Sequence, residues 1–352
     1  MTSENNPPKT GAGNFFEDFK VGQIINHATP KTITAGDVSL YAAIYGSRFI
    51  LQSSDHFAKN LGYRQMPVDD LLVFHVVFGK TVPDISLNAV ANLGYGEGLF
   101  GVPVYAGDTL GATSEVIGLK ENSNGKTGIV YVRTTGQNQR GEQVLSYVRW
   151  VMVNKRDVNA PAPETVIPDL QKTVSPSDLT LPLPLDFSGY DEIAAGSASF
   201  WDDYRIGETI DHRTGITIEE AEHMTATRLY QNTARVHFDQ HMAENNRFKR
   251  RLVYGGHIIS MARALSFGGL ENAFHIAAIN GGQHLNPSFA GDTVYARSEI
   301  LDKADLPGHK NVGAIRLRLS AWKNKTPDPD TENDPDRVLD FDFWALMAKK
   351  QT

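Results

Sequence analysis

The chain is written twice, and no other feature restricts its fold as much. Residues 15 to 33, FFEDFKVGQIINHATPKTI, return at 200 to 218 as FWDDYRIGETIDHRTGITI, an offset of 185. VPVYAGDTLGATSEVIGLK (102 to 120) returns as LNPSFAGDTVYARSEILDK (285 to 303), and VLSYVRWVMVNK (144 to 155) as VLDFDFWALMAK (338 to 349), with Trp150 over Trp344. A period this long means duplicated domains, because solenoid units run about 20 to 50 residues. A chain of 352 residues also exceeds the size at which single cores stop growing, about 250 to 300 residues. The expected organisation is a disordered tail (1–12), a first domain (13–156), a linker (157–195) and a second domain (196–352). Within that linker, residues 157 to 186 hold six of the chain's 17 prolines, which remove backbone donors and favour extended chain.

Each half reads alike. A short helical start (TAGDVSLYAAIYG; TIEEAEHMTATRLY) precedes an apolar helix, DDLLVFHVVFGKTV (69 to 82) or HIISMARALSFGGL (257 to 270). Both are apolar nearly all round, so each is expected to be buried on most sides. Segments with period-2 alternation follow, such as TGIVYVRTTGQ and NVGAIRLRLSAW, and these read as strands. The expected class is α+β: one central helix wrapped by a long antiparallel sheet, made twice. The second half carries an additional acidic stretch, KTPDPDTENDPD, expected to be a solvated insertion.

Composition removes several functions. The absence of cysteine excludes disulfides, thiolate metal sites and cysteine nucleophiles. A net charge of −7 and a pI near 5.9 argue against nucleic acid as a partner, since that needs a basic surface. The polar N-terminus and the lack of 18 consecutive apolar residues point to a soluble, cytosolic protein with no membrane partner.

The densest chemistry lies in LYQNTARVHFDQH (229 to 241). His237 and His241 stand four apart, as on one helical face, but no third ligand and no HExxH pattern accompany them. A structural histidine bonded to backbone is the plain alternative. Gln231, Asn232, Thr233 and Arg235 make the stretch a polar loop between regular elements, the kind of place where function concentrates. Downstream, Gly255 and Gly256 directly precede the second apolar helix. They make either a tight turn or an anion site, where free N–H groups receive a carbonyl oxygen whose charge grows during reaction. The first half has Asp69 and Asp70 there, which suit a capped, closed helix end. Between loop and glycines lies RFKRR, with Arg247, Lys249, Arg250 and Arg251, either a solvated face or a receiver of phosphates. GYGEGLFG (94 to 101) resembles a phosphate loop but lacks the GK[ST] ending, and its counterpart INGGQHLNP is taken to open a strand.

In this order — histidine loop, basic stretch, glycine turn, central helix, PVxxGD — the residues resemble the MaoC-like dehydratases, the (R)-specific enoyl-CoA hydratases of the hot-dog fold. That family's loop reads G-D-x-N-P-[IL]-H. His237 falls on its histidine and Val236 on its aliphatic residue, while Asn232 replaces the catalytic aspartate and Arg235 the proline. In the first half Ser47 and Gln52 replace both catalytic residues. The resemblance covers nearly the whole chain. With the phrases YGSRF, QNTARVHFD and VYGGHIISMARALSF, it narrows to duplicated members acting on branched, carboxylate-bearing enoyl-CoA thioesters. It implies a double hot-dog homodimer that hydrates such a thioester without metal or other cofactor. His237, expected to titrate near neutrality, would move the protons, and Asn232 would orient water. Gly255, Gly256 and His257 would hold the thioester oxygen, Arg235 and Arg48 the substrate carboxylate, and Arg247, Lys249, Arg250 and Arg251 the coenzyme A. A generic (R)-specific hydratase, a thioesterase using Asp69 or Asp70, and a non-catalytic acyl-CoA binder remain the alternatives.

Overall fold

The structure, a computed structural model, describes residues 11–306, 308–327, 331 and 334–350. Most of the expected tail and part of the acidic insertion lie outside them. Among the described residues the helices are α1 (Ala35–Tyr45), α2 (Asp55–Asn60), α3 (Asp70–Thr81), α4 (Glu192–Ala195), α5 (Glu220–Leu229), α6 (Gln240–Ala243), α7 (Gly255–Leu265) and α8 (Phe267–Leu270). The first half contributes strands β1 (Ile24–Thr32), β2 (Ala89–Phe100), β3 (Thr109–Glu121), β4 (Thr127–Gln137) and β5 (Gln143–Asn154). The second contributes β6 (Thr209–Thr217), β7 (Ala273–His284), β8 (Thr293–Leu306), β9 (His309–Lys323) and β10 (Arg337–Ala348).

All ten strands form one antiparallel sheet in the order β1-β3-β4-β5-β2-β7-β10-β9-β8-β6. Each half thus repeats one strand order, and the halves join where β2 pairs with β7, Tyr95 opposite Gly282 and Leu99 opposite Ala278. Close packing on both sides of β2, against β7 and against β5, explains GYGEGLFG. A Cβ on Gly98 would lie 2.8 Å from that of Ile279, and one on Gly94 2.4 Å from the Trp150 ring. The glycines serve strand pairing, not phosphate.

The two apolar helices are α3 and α7. Every residue of α3 from Leu71 to Thr81 is buried. α7 stops at Leu265, earlier than the sequence suggests, because the chain turns at Gly269 with φ of +107°. Residues of both halves share one core, among them Leu72, Phe78, Ile258 and Phe343. Across it, residues equivalent in the repeat meet. The hydroxyls of Tyr45 and Tyr230 are 2.7 Å apart, and His75 Nε2 is 2.9 Å from Ser260 Oγ. Both pairs are 185 residues apart, the offset of the repeat itself, so they mark the molecule's internal two-fold axis.

The proline-rich connection is no free spacer. Its Val174, Leu179 and Phe187 are buried against Phe274, Ala278 and Trp344, and the Trp344 indole donates to the Val174 carbonyl at 3.1 Å. Covered by helices on one face and by this strap on the other, β7 is buried at every position from Ala273 to Asn280. It therefore shows a continuous apolar run instead of alternation.

Candidate functional site

The loop after α5 enters through Gln231, whose backbone is left-handed (φ +53°). The Asn232 side chain then makes a local turn, its Oδ1 accepting from the Ala234 N–H at 2.9 Å, as asparagine does in Asx-turns. A single 3-10 turn, Arg235–His237, brings the histidine round. His237 Nδ1 donates to the Leu252 carbonyl at 2.8 Å, and its ring packs edgewise on Tyr254, centroids 5.6 Å apart. With its proton on Nδ1, Nε2 carries a free lone pair, and no described residue bonds to it. Burial pushes the imidazole down to about 4, against the opposing pull of the Leu252 carbonyl. The expectation of titration near neutrality is thus corrected. The ring is held by the Leu252 carbonyl and Tyr254, and the imidazole is neutral at pH 7.

Beside it lies the start of α7. Tyr254 precedes the helix and offers no side-chain cap. The His257 N–H donates to the Tyr254 carbonyl at 2.9 Å, so it is not available to a thioester oxygen, contrary to the reading of the sequence. That leaves the N–H groups of Gly255 and Gly256, which no described residue accepts. The imidazole of His257 instead binds the Tyr45 hydroxyl through Nδ1, at 2.8 Å. The glycines are required by close approach: a Cβ at 255 would lie 2.4 Å from the His284 ring. One at 256 would lie 2.4 Å from Tyr254 and 2.6 Å from His75.

The first half closes the same position. Asp69 caps α3 by accepting from the Leu71 N–H at 2.8 Å. Asp70 accepts from the Ile276 N–H at 2.8 Å and pairs with His275 at 3.0 Å. Gln52, where the histidine would stand, donates to the Phe274 carbonyl at 3.3 Å.

Other expected residues are dispersed. Arg48 is exposed, its guanidinium 4.5 Å over Phe267, beyond the C-terminal end of α7. Arg235 is exposed near the N-terminal end. The structure does not bring these two arginines together, because the two-fold axis puts the two loops at opposite ends of α7. In the basic stretch, Arg251 is committed to Glu220 and the Met224 sulfur, while Arg247, Lys249 and Arg250 are exposed. His241 is exposed on α6. Among the described residues no three histidine, aspartate or glutamate side chains converge as a metal site would require.

The sequence reading passed over His284. INGGQHLNP closes β7 instead of opening a strand, so His284 reaches the start of α7. Its Nε2 lies 3.2 Å from the Tyr95 hydroxyl, and its buried Nδ1 has no partner. Burial, aided by the nearby His237, pushes it down to about 4. The available signal was asymmetry between the repeats: the aligned residue in the first half is Phe100.

Comparison with known proteins agrees with this architecture. The model of the mesaconyl-CoA hydratase family matches residues 8–329. The β-methylmalyl-CoA dehydratase of Chloroflexus aurantiacus is 62% identical over 348 residues, 97% of this chain and 99% of that protein. The mesaconyl-CoA hydratase of Cereibacter sphaeroides is 57% identical, covering 97% of this chain and all (100%) of its own. A MaoC-domain dehydratase structure from Chloroflexus aurantiacus superposes with a TM-score of 0.95 at 61% identity, covering 98% of this chain and 100% of that one. A double hot-dog structure from Mycobacterium tuberculosis gives 0.76 at 26% identity, covering 95% and 98%. With two wrapped helices, a single open helix start and one histidine loop on a chain matched over nearly its whole length, the protein belongs to the mesaconyl-CoA hydratase family, within the MaoC-like double hot-dog proteins.

Proposed function

We propose that this chain adds water reversibly across the double bond of a branched, carboxylate-bearing enoyl-CoA, converting mesaconyl-CoA to β-methylmalyl-CoA. The observation that carries the reading is the free Nε2 of a neutral His237 set beside the uncapped N–H groups of Gly255 and Gly256. Water oxygen bonds to the β-carbon, and the π electrons move through the α-carbon onto the thioester oxygen. The two glycine N–H groups receive the enolate charge, and His237 takes the water proton. An imidazolium whose pKa lies near 4 is a strong acid, so the same side chain can hand that proton to the α-carbon. This is how one histidine works where the family keeps a histidine and an aspartate. The Asn232 oxygen is committed to Ala234, which leaves its NH₂ group to orient water. Exposed Arg235, Arg247, Lys249 and Arg250 suit the phosphates of coenzyme A. The family likeness supports a cytosolic homodimer needing no cofactor beyond the coenzyme A of its substrate.

The thioesterase alternative loses its carboxylate, since Asp69 and Asp70 are committed at the other helix. Incubation with mesaconyl-CoA tests the assignment: enoyl absorbance should fall with no release of free thiol. Thiol release would identify a thioesterase, and no change in either signal a binding protein.

The pH dependence is a separate expectation. His237 acts as a base only when neutral, and burial places its transition near 4. Hydration kcat/KM should therefore be flat from about pH 5 to 8 and fall about tenfold per unit below 4. An acid limb centred near 6.5 would contradict the half-buried, carbonyl-bound imidazole.

A further inference from the structure

Arg149 sits in β5 on the face that meets α3 and has no exposed surface. Its Nη2 donates to Thr81 Oγ1 at 2.8 Å and lies 3.4 Å from Ser86 Oγ, and its guanidinium stacks 4.3 Å over the Phe78 ring. Nε and Nη1 are buried with no partner, and among the described residues no carboxylate pairs with this cation. An enclosed guanidinium without a counter-charge is costly, and proteins retain one where something supplies the missing anion.

The duplication shows that the fold does not need it. In the second half the position of Arg149 is held by Phe343, that of Tyr95 by Ile279 and that of Tyr147 by Phe341. One repeat fills the site with an apolar trio, the other with two phenols and an arginine. The polar trio is on the side of the active loop. Tyr95 reaches His284, which packs on Gly255. Tyr254, the neighbour of His237, packs on the same Phe78 ring that Arg149 covers, centroids 5.6 Å apart. The Tyr147 hydroxyl is likewise buried.

We infer that Arg149, contributed by the half that has lost the catalytic pair, is the receptor for the substrate's distal carboxylate and sets the preference for carboxylated over plain enoyl-CoA. The inference rests on the hydratase reading above. With the thioester oxygen on Gly255 and Gly256, a carboxylate can reach Nε and Nη1 only if binding parts the contact between Tyr254 and Phe78, because both rings and Arg149 are buried in the unliganded protein. A planar fork can grip a carboxylate there through two parallel bonds, which lysine cannot reproduce. This assigns to Arg149 the role that the sequence suggested for Arg235 and Arg48.

The test uses two unreactive saturated thioesters of equal shape, methylsuccinyl-CoA and 2-methylbutyryl-CoA, which differ by a carboxylate in place of a methyl. In Arg149→Met the Kd for methylsuccinyl-CoA should rise at least about thirtyfold, while that for 2-methylbutyryl-CoA stays within about threefold. KM for mesaconyl-CoA should rise in parallel. Arg149→Lys keeps a buried cation and, should the methionine variant fail to fold, is judged by the same ratio, with an expected selective loss of about tenfold. Equal losses for both ligands, or none, would overturn the inference and return Arg149 to a structural role at the end of α3. If the wild-type enzyme hydrates mesaconyl-CoA while the variants keep their ligand preference, only this inference fails. If the wild type neither binds nor hydrates it, the hydratase reading fails first.

Discussion

Replacing His237 by alanine should lower kcat for mesaconyl-CoA hydration at least about a hundredfold with the fold intact. The size of the loss follows from the absence of a substitute. Asn232 cannot remove a proton, and its oxygen is tied to Ala234. His284 has its ring against Gly255 and its Nε2 at the Tyr95 hydroxyl, placed to align groups and not to face water in the loop. Folding should survive, because His237 makes one side-chain hydrogen bond, to the Leu252 carbonyl. That carbonyl lies in a partly exposed loop where water can replace the imidazole. Circular dichroism and kcat together check the prediction. Turnover within a few fold of wild type would remove His237 from the mechanism.

The second large effect concerns a residue of the other half that carries no chemistry itself. Gly79 lies in α3, of the first half, yet a Cβ there would stand 2.0 Å from the Tyr230 carbonyl oxygen and 3.3 Å from the Asn232 nitrogen. These atoms open the active loop of the second half. Gly79→Ala must therefore push the helix and loop apart, and the buried helix has nowhere to go. In an exposed helix the same change would stabilise by up to about 1 kcal/mol. Here overpacking, about 1 to 3 kcal/mol, should win and destabilise the protein. Displacing the loop by about 1 Å misplaces Asn232 and His237, and kcat/KM should fall on the order of a hundredfold. Lys80, which donates to Gln231, shares the same contact and would shift with it. A variant more stable than wild type and fully active would show that helix and loop do not touch.

Both arguments depend on relations between the halves, and this separates what could be read early from what could not. The duplication is visible by direct comparison of the two halves, and the two buried helices, the period-2 strands and the closed helix end at Asp69 are local patterns. Each was legible because burial, capping and backbone preference act over a few residues. His237 and the glycine pair stood out for the same reason: a polar loop and a missing cap are visible in a handful of letters. The role of His257 was misjudged because an N–H of the first helical turn can still be taken by the carbonyl three residues back. Arg48 and Arg235 were grouped by charge type, whereas the two-fold axis separates them.

By itself, then, the sequence determined two like halves and their elements and marked out one polar histidine loop, since these follow from the spacing of apolar residues, glycines and caps along the chain. Only the tertiary structure decided that β2 joins β7, that Gly79 touches Tyr230, 151 residues away, and that His284 packs against the start of α7. Those outcomes depend on strand register and on packing across the internal axis, where residues meet that no short-range pattern connects.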